Sequence, residues 1–381
     1  MPDHRAQEHL ARTICGRLSE WEQLNLTLGQ RLGLTVIAAA PLSGTTGLLQ
    51  AALGPGYGDG MLVDARRCAD ALDLAMAIAD QAVASYCPEE VRWWQSAGPP
   101  QDQASLRLAR SLSAQSIDLD GVRLGEGRRL ERLDEAFALI VALANEVRAD
   151  RPPTLVIDHL GTMLATVREH ASRELLDQLR TIRQRHTTLD LVLVDYPAGP
   201  IVHALGDPDH PLYRAGQTLN IARAHPAQFL EEAGGAGIKL PRGLLGAAAE
   251  LAAGAPALVW PIVDLSDADG GDDTPAAARG WQRLRDLNAA SVSAQWDLLR
   301  RVHPSAQTLV SAMAFGLAPY STPVADKSIT DGLNRLRDVG IVWQPEDGSK
   351  WAIADQLLAA YARDHAPAWI ARRTAQARAR S

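Results

Sequence analysis

Two stretches of this 381-residue chain combine residue types suited to handling a phosphate. The first is Ala39–Thr46, read Ala-Ala-Pro-Leu-Ser-Gly-Thr-Thr, at the end of the apolar run Leu34–Ala40. A loop that cradles nucleotide phosphates at a strand–helix junction has the spacing G-x-x-x-x-G-K-[ST]. Its backbone N–H groups cup the oxygens, its Lys neutralises their charge, and its hydroxyl holds Mg²⁺. Gly44 and Thr46 stand at the second Gly and the hydroxyl positions, flanked by Ser43, Thr45 and Gly47. Ala39 stands at the first Gly, and Thr45 stands where the Lys belongs. The second stretch, Thr154–Leu160 (TLVIDHL), ends an apolar run at Asp158. There an acid would share a magnesium ion with Thr46, and a following Glu would activate water. Here the following residue is His159.

The missing residues have a calculable weight. Charge-assisted bonds to phosphate are worth roughly 1.5–3 kcal/mol each. Their loss therefore weakens nucleotide affinity on the order of 10- to 100-fold. Replacing a general base costs a further ~10²–10⁴ in rate. His159 is itself a base near neutral pH, which leaves a rearranged but working site as an alternative. The chain has only three lysines, Lys239, Lys327 and Lys350. A substitute cation for the loop must therefore be an arginine, with Arg17, Arg66 and Arg67 the candidates.

Five short apolar runs would position these residues: Leu34–Ala40, Met61–Ala65, Thr154–Asp158, Leu189–Asp195 and Gln217–Ala222. Unbroken rather than alternating hydrophobicity predicts strands covered on both faces, as in a parallel sheet. Amphipathic stretches between them, such as Leu133–Arg148 and Thr166–His186, predict crossover helices. Ser96–Arg132 is richer in Gly, Pro, Gln and Ser, and reads as an elaborated loop or an insertion. The adjacent Trp93 and Trp94 are read as buried. Pro226–Val263 is helical in pattern, Ser266–Pro275 is acidic and Gly-rich, and Gly280–Arg301 predicts a connecting helix. Beyond it, Ser305–Phe315 and Ser328–Val339 predict helices, with Ser328 as N-cap and Gly340 as C-cap. Ile341–Ile353 alternates around Asp347-Gly348, a hairpin signal. Helices followed by a short ribbon make a winged-helix shape.

Composition narrows the function classes. There are 38 basic and 45 acidic residues, a net charge of −7, which argues against a chain dedicated to coating nucleic acid. Three cysteines without C-x-x-C spacing indicate neither a disulfide framework nor a zinc cluster. The start has no signal-peptide run, and Leu251–Val263 is too short to span a bilayer, so a soluble cytoplasmic protein with no membrane partner is expected. On the winged-helix segment, Arg335, Arg337 and Lys350 are candidate DNA contacts. Residues 303–381 hold nine basic and seven acidic residues, a surplus of two that supports phosphate binding only weakly.

The motifs in their order resemble the AAA+/STAND class of P-loop ATPases, particularly the branch called archaeal-type ATPases. Gly16-Arg17-Leu18-Ser19-Glu20 with Leu24 resembles the G-R-x-x-E-L helix that precedes the first strand. Ala39–Thr46 resembles the P-loop, Met61–Ala65 the next strand with its acid at Asp64, and Thr154–Asp158 Walker B. Leu189–Asp195 resembles the sensor-1 strand, with Asp195 in place of its usual Ser, Thr or Asn; the reading preferred for Asp195 is structural. Pro211–Ala215 resembles the P-L-x-x-R-A stretch in which the family keeps an arginine, here Arg214. Gly254-Ala255-Pro256 resembles the G-x-P of the helical lid.

The resemblance implies an α/β, P-loop NTPase-like parallel sheet flanked by helices, a helical lid and a C-terminal winged-helix domain. The expected division is 1–225 for the α/β domain and 226–265 for the lid. An acidic linker (266–279), a connecting helix with the winged helix (280–370) and an Arg-rich tail (371–381) follow. It further implies a cofactor, ATP or ADP, with Mg²⁺ on Thr46 and Asp158, or none if the site is dead. His159 and Arg214 are the catalytic candidates, and Ser43, Gly44, Thr45, Thr46, Gly47 and Asp158 the nucleotide-binding ones. The expected function is that of a degenerate ATPase acting as a regulatory or scaffolding subunit, with a protein or an active ATPase paralogue as partner. The alternatives are a working ATPase with a non-standard phosphate site and a winged-helix DNA-binding regulator.

Overall fold

The computed structural model describes residues 10–30, 33–40, 42–53, 60–96, 98–147, 152–195, 199–236, 238, 240–266, 273–344 and 351–378. Two compact units emerge. One comprises Ser19–Ala39 and Thr46–Ile221; the other comprises Met1–Leu18, Ala40–Thr45 and Ala222–Ser381.

The first unit is built on the five apolar runs. They form β1 (Leu34–Ala39), β2 (Gly60–Asp64), β3 (Thr154–Asp158), β4 (Asp190–Asp195) and β5 (Gln217–Ile221). All pair in parallel, in the order β2-β3-β4-β1-β5. Val36, Ile37, Leu155, Val156, Leu191 and Leu193 are buried on both faces of the sheet, which is why the runs show no alternation. Three strands end in an acid at the same edge: Asp64, Asp158 and Asp195. In open α/β sheets that carboxyl edge is where ligands bind.

Helices Ala71–Tyr86 and Arg129–Glu146 pack on each other beside the sheet, with Phe137 and Leu74 fully enclosed. Residues 96–132, expected as a loop, are instead largely helical: Gln103–Ala114 and Leu119–Leu124 precede the helix that starts at Arg129. Their stabilisers are local caps. The Asp102 carboxylate accepts the Ser105 N–H at 2.7 Å, and Asp118 accepts that of Gly121 at 3.1 Å. Trp93 and Trp94 are buried as expected, and the Arg123 guanidinium lies 4.1 Å from the Trp93 ring. Few apolar residues with many caps make short helices that resemble loops in sequence.

The second unit is helical. Pro226–Gly235, Arg242–Leu251 and Pro256–Asp264 are followed by the long helix Asp273–Val302. That helix begins seven residues before the expected Gly280 (280 − 273), taking up part of the acidic stretch; residues 267–272 lie outside the described ones. Ala306–Ala314 and Asp326–Asp338 come next, then an antiparallel pair, β6 (Val342–Trp343) and β7 (Ala352–Ile353). Ser328 is not an N-cap: the helix starts two residues earlier, after Ala325. Gly340 does end it. Its φ of +72° and the bonds from its N–H to the Arg337 carbonyl and from Ile341 N–H to Leu336 form a left-handed terminating turn. The Arg-rich end is drawn into a helix, Ala368–Arg378, with Ile370 and Thr374 buried. Among the described residues, no helix is long and apolar enough to cross a membrane.

Candidate functional site

In the sheet unit, Asp158 anchors a compact polar cluster. The residue is only 2% exposed. The Thr46 hydroxyl donates to one carboxylate oxygen at 2.6 Å, and the His159 N–H donates to the other at 2.9 Å. Thr46 lies in the first turn of the helix Thr45–Ala52, which follows β1, while Asp158 ends β3. The sheet thus brings together two residues 112 positions apart in sequence. A hydroxyl and a carboxylate at this distance are hard oxygen donors, fit to hold Mg²⁺ together with phosphate oxygens and waters. The described residues contain no group of three or more His, Cys, Asp or Glu side chains that could hold a metal alone.

His159 occupies a left-handed backbone position, φ +58°, where β3 turns into the helix Leu160–Thr166. Its Nδ1 lies 3.1 Å from Asp158 and 3.8 Å from Asp64. The ring thus faces two carboxylates at the position of a water-activating acid. Asp64 is also gripped by Arg66, whose Nε and Nη2 donate to its two oxygens at 3.0 and 2.7 Å. Burial alone would raise the Asp64 carboxyl, but the Arg66 side-chain and backbone bonds outweigh it and hold the group below its ordinary value. The same pairing raises the Arg66 guanidinium above its ordinary value. Arg66 is thus committed to Asp64. Asp195 is occupied in another way: it is buried, and one of its oxygens accepts the N–H groups of Ile201 and Val202 at 2.8 and 3.1 Å. It holds the start of the helix Pro200–Gly206.

Residues Ala40–Thr45 belong to the other unit. Leu42 and Gly44 both have positive φ, +59° and +71°. Two left-handed residues separated by one bend the loop sharply, and of the two only Gly44 adopts that backbone without steric cost. For Leu42 this backbone costs roughly 1–2 kcal/mol. The Ser43 N–H bonds the Ala40 carbonyl at 3.0 Å, and the Ser43 and Thr45 hydroxyls meet at 2.7 Å. Thr45 thus turns its short side chain back into the loop. Arg17 reaches the loop from a distance in sequence. It is buried and donates to the Ser43 and Thr13 carbonyls. A Cβ on Gly44 would lie 2.9 Å from its Nη1. Thr45 stands at the position that a phosphate-binding loop gives to lysine.

The other candidates meet side chains of their own segments. Arg214 is exposed on a turn at φ +53°, its guanidinium 5.0 Å from the ring of its neighbour Tyr213. Arg335 pairs with Asp331 on its own helix at 3.3 Å, and Asp331 also meets His303 Nε2 at 3.3 Å. Lys350 lies outside the described residues. The Asp64–Arg66 pair and the left-handed Leu42 had no distinctive signal in sequence: one needs the strand end, the other only the backbone.

No protein-family profile and no curated protein matches the chain. Solved structures do. The chain is similar in fold to the Walker-type ATPase PABY2304 of Pyrococcus abyssi, at 16% identity over 91% of this chain and 95% of that one, with a TM-score of 0.63. It is also similar to the ORC2 protein of Aeropyrum pernix, solved as ADPNP–ADP complexes, at 12% identity over 95% and 94% of the chains, with a TM-score of 0.52. The class is therefore an α/β, P-loop NTPase-like fold of the AAA+ kind.

Proposed function

We propose that this chain is a degenerate AAA+/STAND-like ATPase that serves as a regulatory or scaffolding subunit. It binds ATP or ADP weakly, with Mg²⁺ on Thr46 and Asp158, and turns over ATP negligibly. The observation that carries this reading is the Thr46–Asp158 donor pair of the sheet unit, kept while His159 stands where the water-activating acid belongs. In the other unit the loop has positive φ at Leu42 and Gly44, and Thr45 bonds Ser43 where a lysine would reach phosphate. Binding chemistry outlasts hydrolytic chemistry here, because a loop of N–H groups still attracts an anion after the water-activating acid has gone. The ADPNP–ADP complexes of the ORC2 neighbour support nucleotide as the ligand. Its function then lies in contacts with a protein partner, an active ATPase paralogue being the fitting class.

Titration calorimetry with ATP and ADP in the presence of Mg²⁺ tests the first half. Restoring the lysine, Thr45→Lys, should tighten ADP binding on the order of 10- to 100-fold. Wild-type affinity equal to that of the variant would contradict the reading. Cross-linking of the full chain in its native cell tests the second half: the expected partner is an ATPase with an intact lysine. Salt-sensitive retention on DNA that Arg335→Ala with Arg337→Ala abolishes would favour the DNA-binding alternative. The working-ATPase alternative draws on the ring of His159 beside Asp158; it requires turnover that His159→Ala abolishes.

A further inference from the structure

We infer that Arg17 is the positioning residue of the phosphate loop, holding it from its carbonyl face and supplying the charge that Thr45 does not. The inference rests on the nucleotide-site reading and deepens it. Arg17 lies 26 residues before Ser43 and is buried, with its Nη1 on the Ser43 carbonyl and its Nη2 on that of Thr13. The Ser43 carbonyl and the Gly44 N–H belong to one planar trans peptide, so they point to opposite sides. A cation on the carbonyl therefore fixes the Gly44 N–H facing away from Arg17 and polarises it as a donor. Gly44 permits the arrangement twice over. Its φ of +71° is one that L side chains resist, and a Cβ would lie 2.9 Å from Nη1 and 3.2 Å from Nη2.

The charge itself is permanent, since guanidinium does not lose its proton in proteins. Buried behind the loop, it is screened less than a surface lysine would be. Arg17 thus aligns the Gly44 donor and makes the loop electropositive without touching the ligand. The ligand class that follows is a di- or polyphosphate, as in ADP. A monophosphate engages fewer of the loop's donors.

The test uses the full-length chain, inorganic pyrophosphate and ADP as probes, and the ¹⁵N amide resonance of Gly44. In wild type the Gly44 amide should move on pyrophosphate addition. In Arg17→Met that shift should vanish and both probes should bind about tenfold more weakly or worse, the loss of one charge-assisted partner. Arg17→Lys should keep most of the affinity and the Gly44 shift. Arg17→Met that is folded and binds either probe as well as wild type, or better, would overturn the inference. If that variant does not fold, the wild-type resonance decides: a Gly44 amide unmoved at saturating pyrophosphate overturns it, and a shifted one supports it. ATP turnover by wild type would instead strike the proposed function and leave this inference standing.

Discussion

At the scale of single residues, acids at the strand ends differ in what they bond. Asp158 and Asp195 look alike in sequence, each an acid at the end of an apolar run. Asp158 meets the Thr46 hydroxyl, whereas Asp195 is taken by two helix N–H groups. The expected consequence is a clean division between variants. Asp195→Ala should lower stability to urea by about 1–3 kcal/mol, the cost of leaving buried donors unmet, and leave ADP affinity unchanged. Asp158→Asn should remove the Mg²⁺-dependent part of ADP binding, read as loss of the difference between titrations with and without the ion. Reduced ADP affinity in Asp195→Ala at full stability would mean that Asp195 faces the nucleotide after all. The Thr46–Asp158 pairing was legible in sequence because one motif placed Thr46 at the helix start after the first strand and another placed Asp158 at a strand end. Arg17 was legible only as one arginine among several, since nothing in the chain order states which of them turns toward the loop.

Elements were legible where hydrophobicity alone specified them. All five strands could be read, because strands buried on both faces must be continuously apolar. Residues 96–132 could not: helices Gln103–Ala114 and Leu119–Leu124 depend on the Asp102 and Asp118 caps, which look like turn residues in sequence. The phosphate loop adds a third case, in which backbone conformation carries the meaning. Gly44→Ala puts a side chain at φ +71° against the Arg17 guanidinium. It should cost roughly 1–2 kcal/mol from the left-handed backbone alone and weaken ADP binding as well. Measured stability unchanged from wild type would show that the loop can adopt another conformation at no cost.

For the whole molecule, the acid–base behaviour of the three thiols follows from burial. Cys15 is pushed up to about 12, and Cys68 and Cys87 to about 11, each chiefly because the thiolate would be desolvated. The folded chain then keeps protons that the unfolded chain gives up above an ordinary value of 9.0. This contribution to stability is complete below that pH and is lost as pH rises through it toward the folded values. The urea midpoint should therefore fall on the alkaline side, with a shallower fall when all three cysteines are replaced by alanine. An identical pH profile in that variant would locate the alkaline loss elsewhere.

The fold is α/β and P-loop NTPase-like, and the function proposed on it is nucleotide binding without hydrolysis. Phosphate release by the full-length chain under saturating Mg²⁺-ATP tests that claim most directly, with Asp158→Ala run alongside. The account predicts that the two chains release phosphate at the same background rate. Wild-type turnover at an ordinary enzymatic rate, about 1 s⁻¹ or faster, abolished in Asp158→Ala, would contradict it.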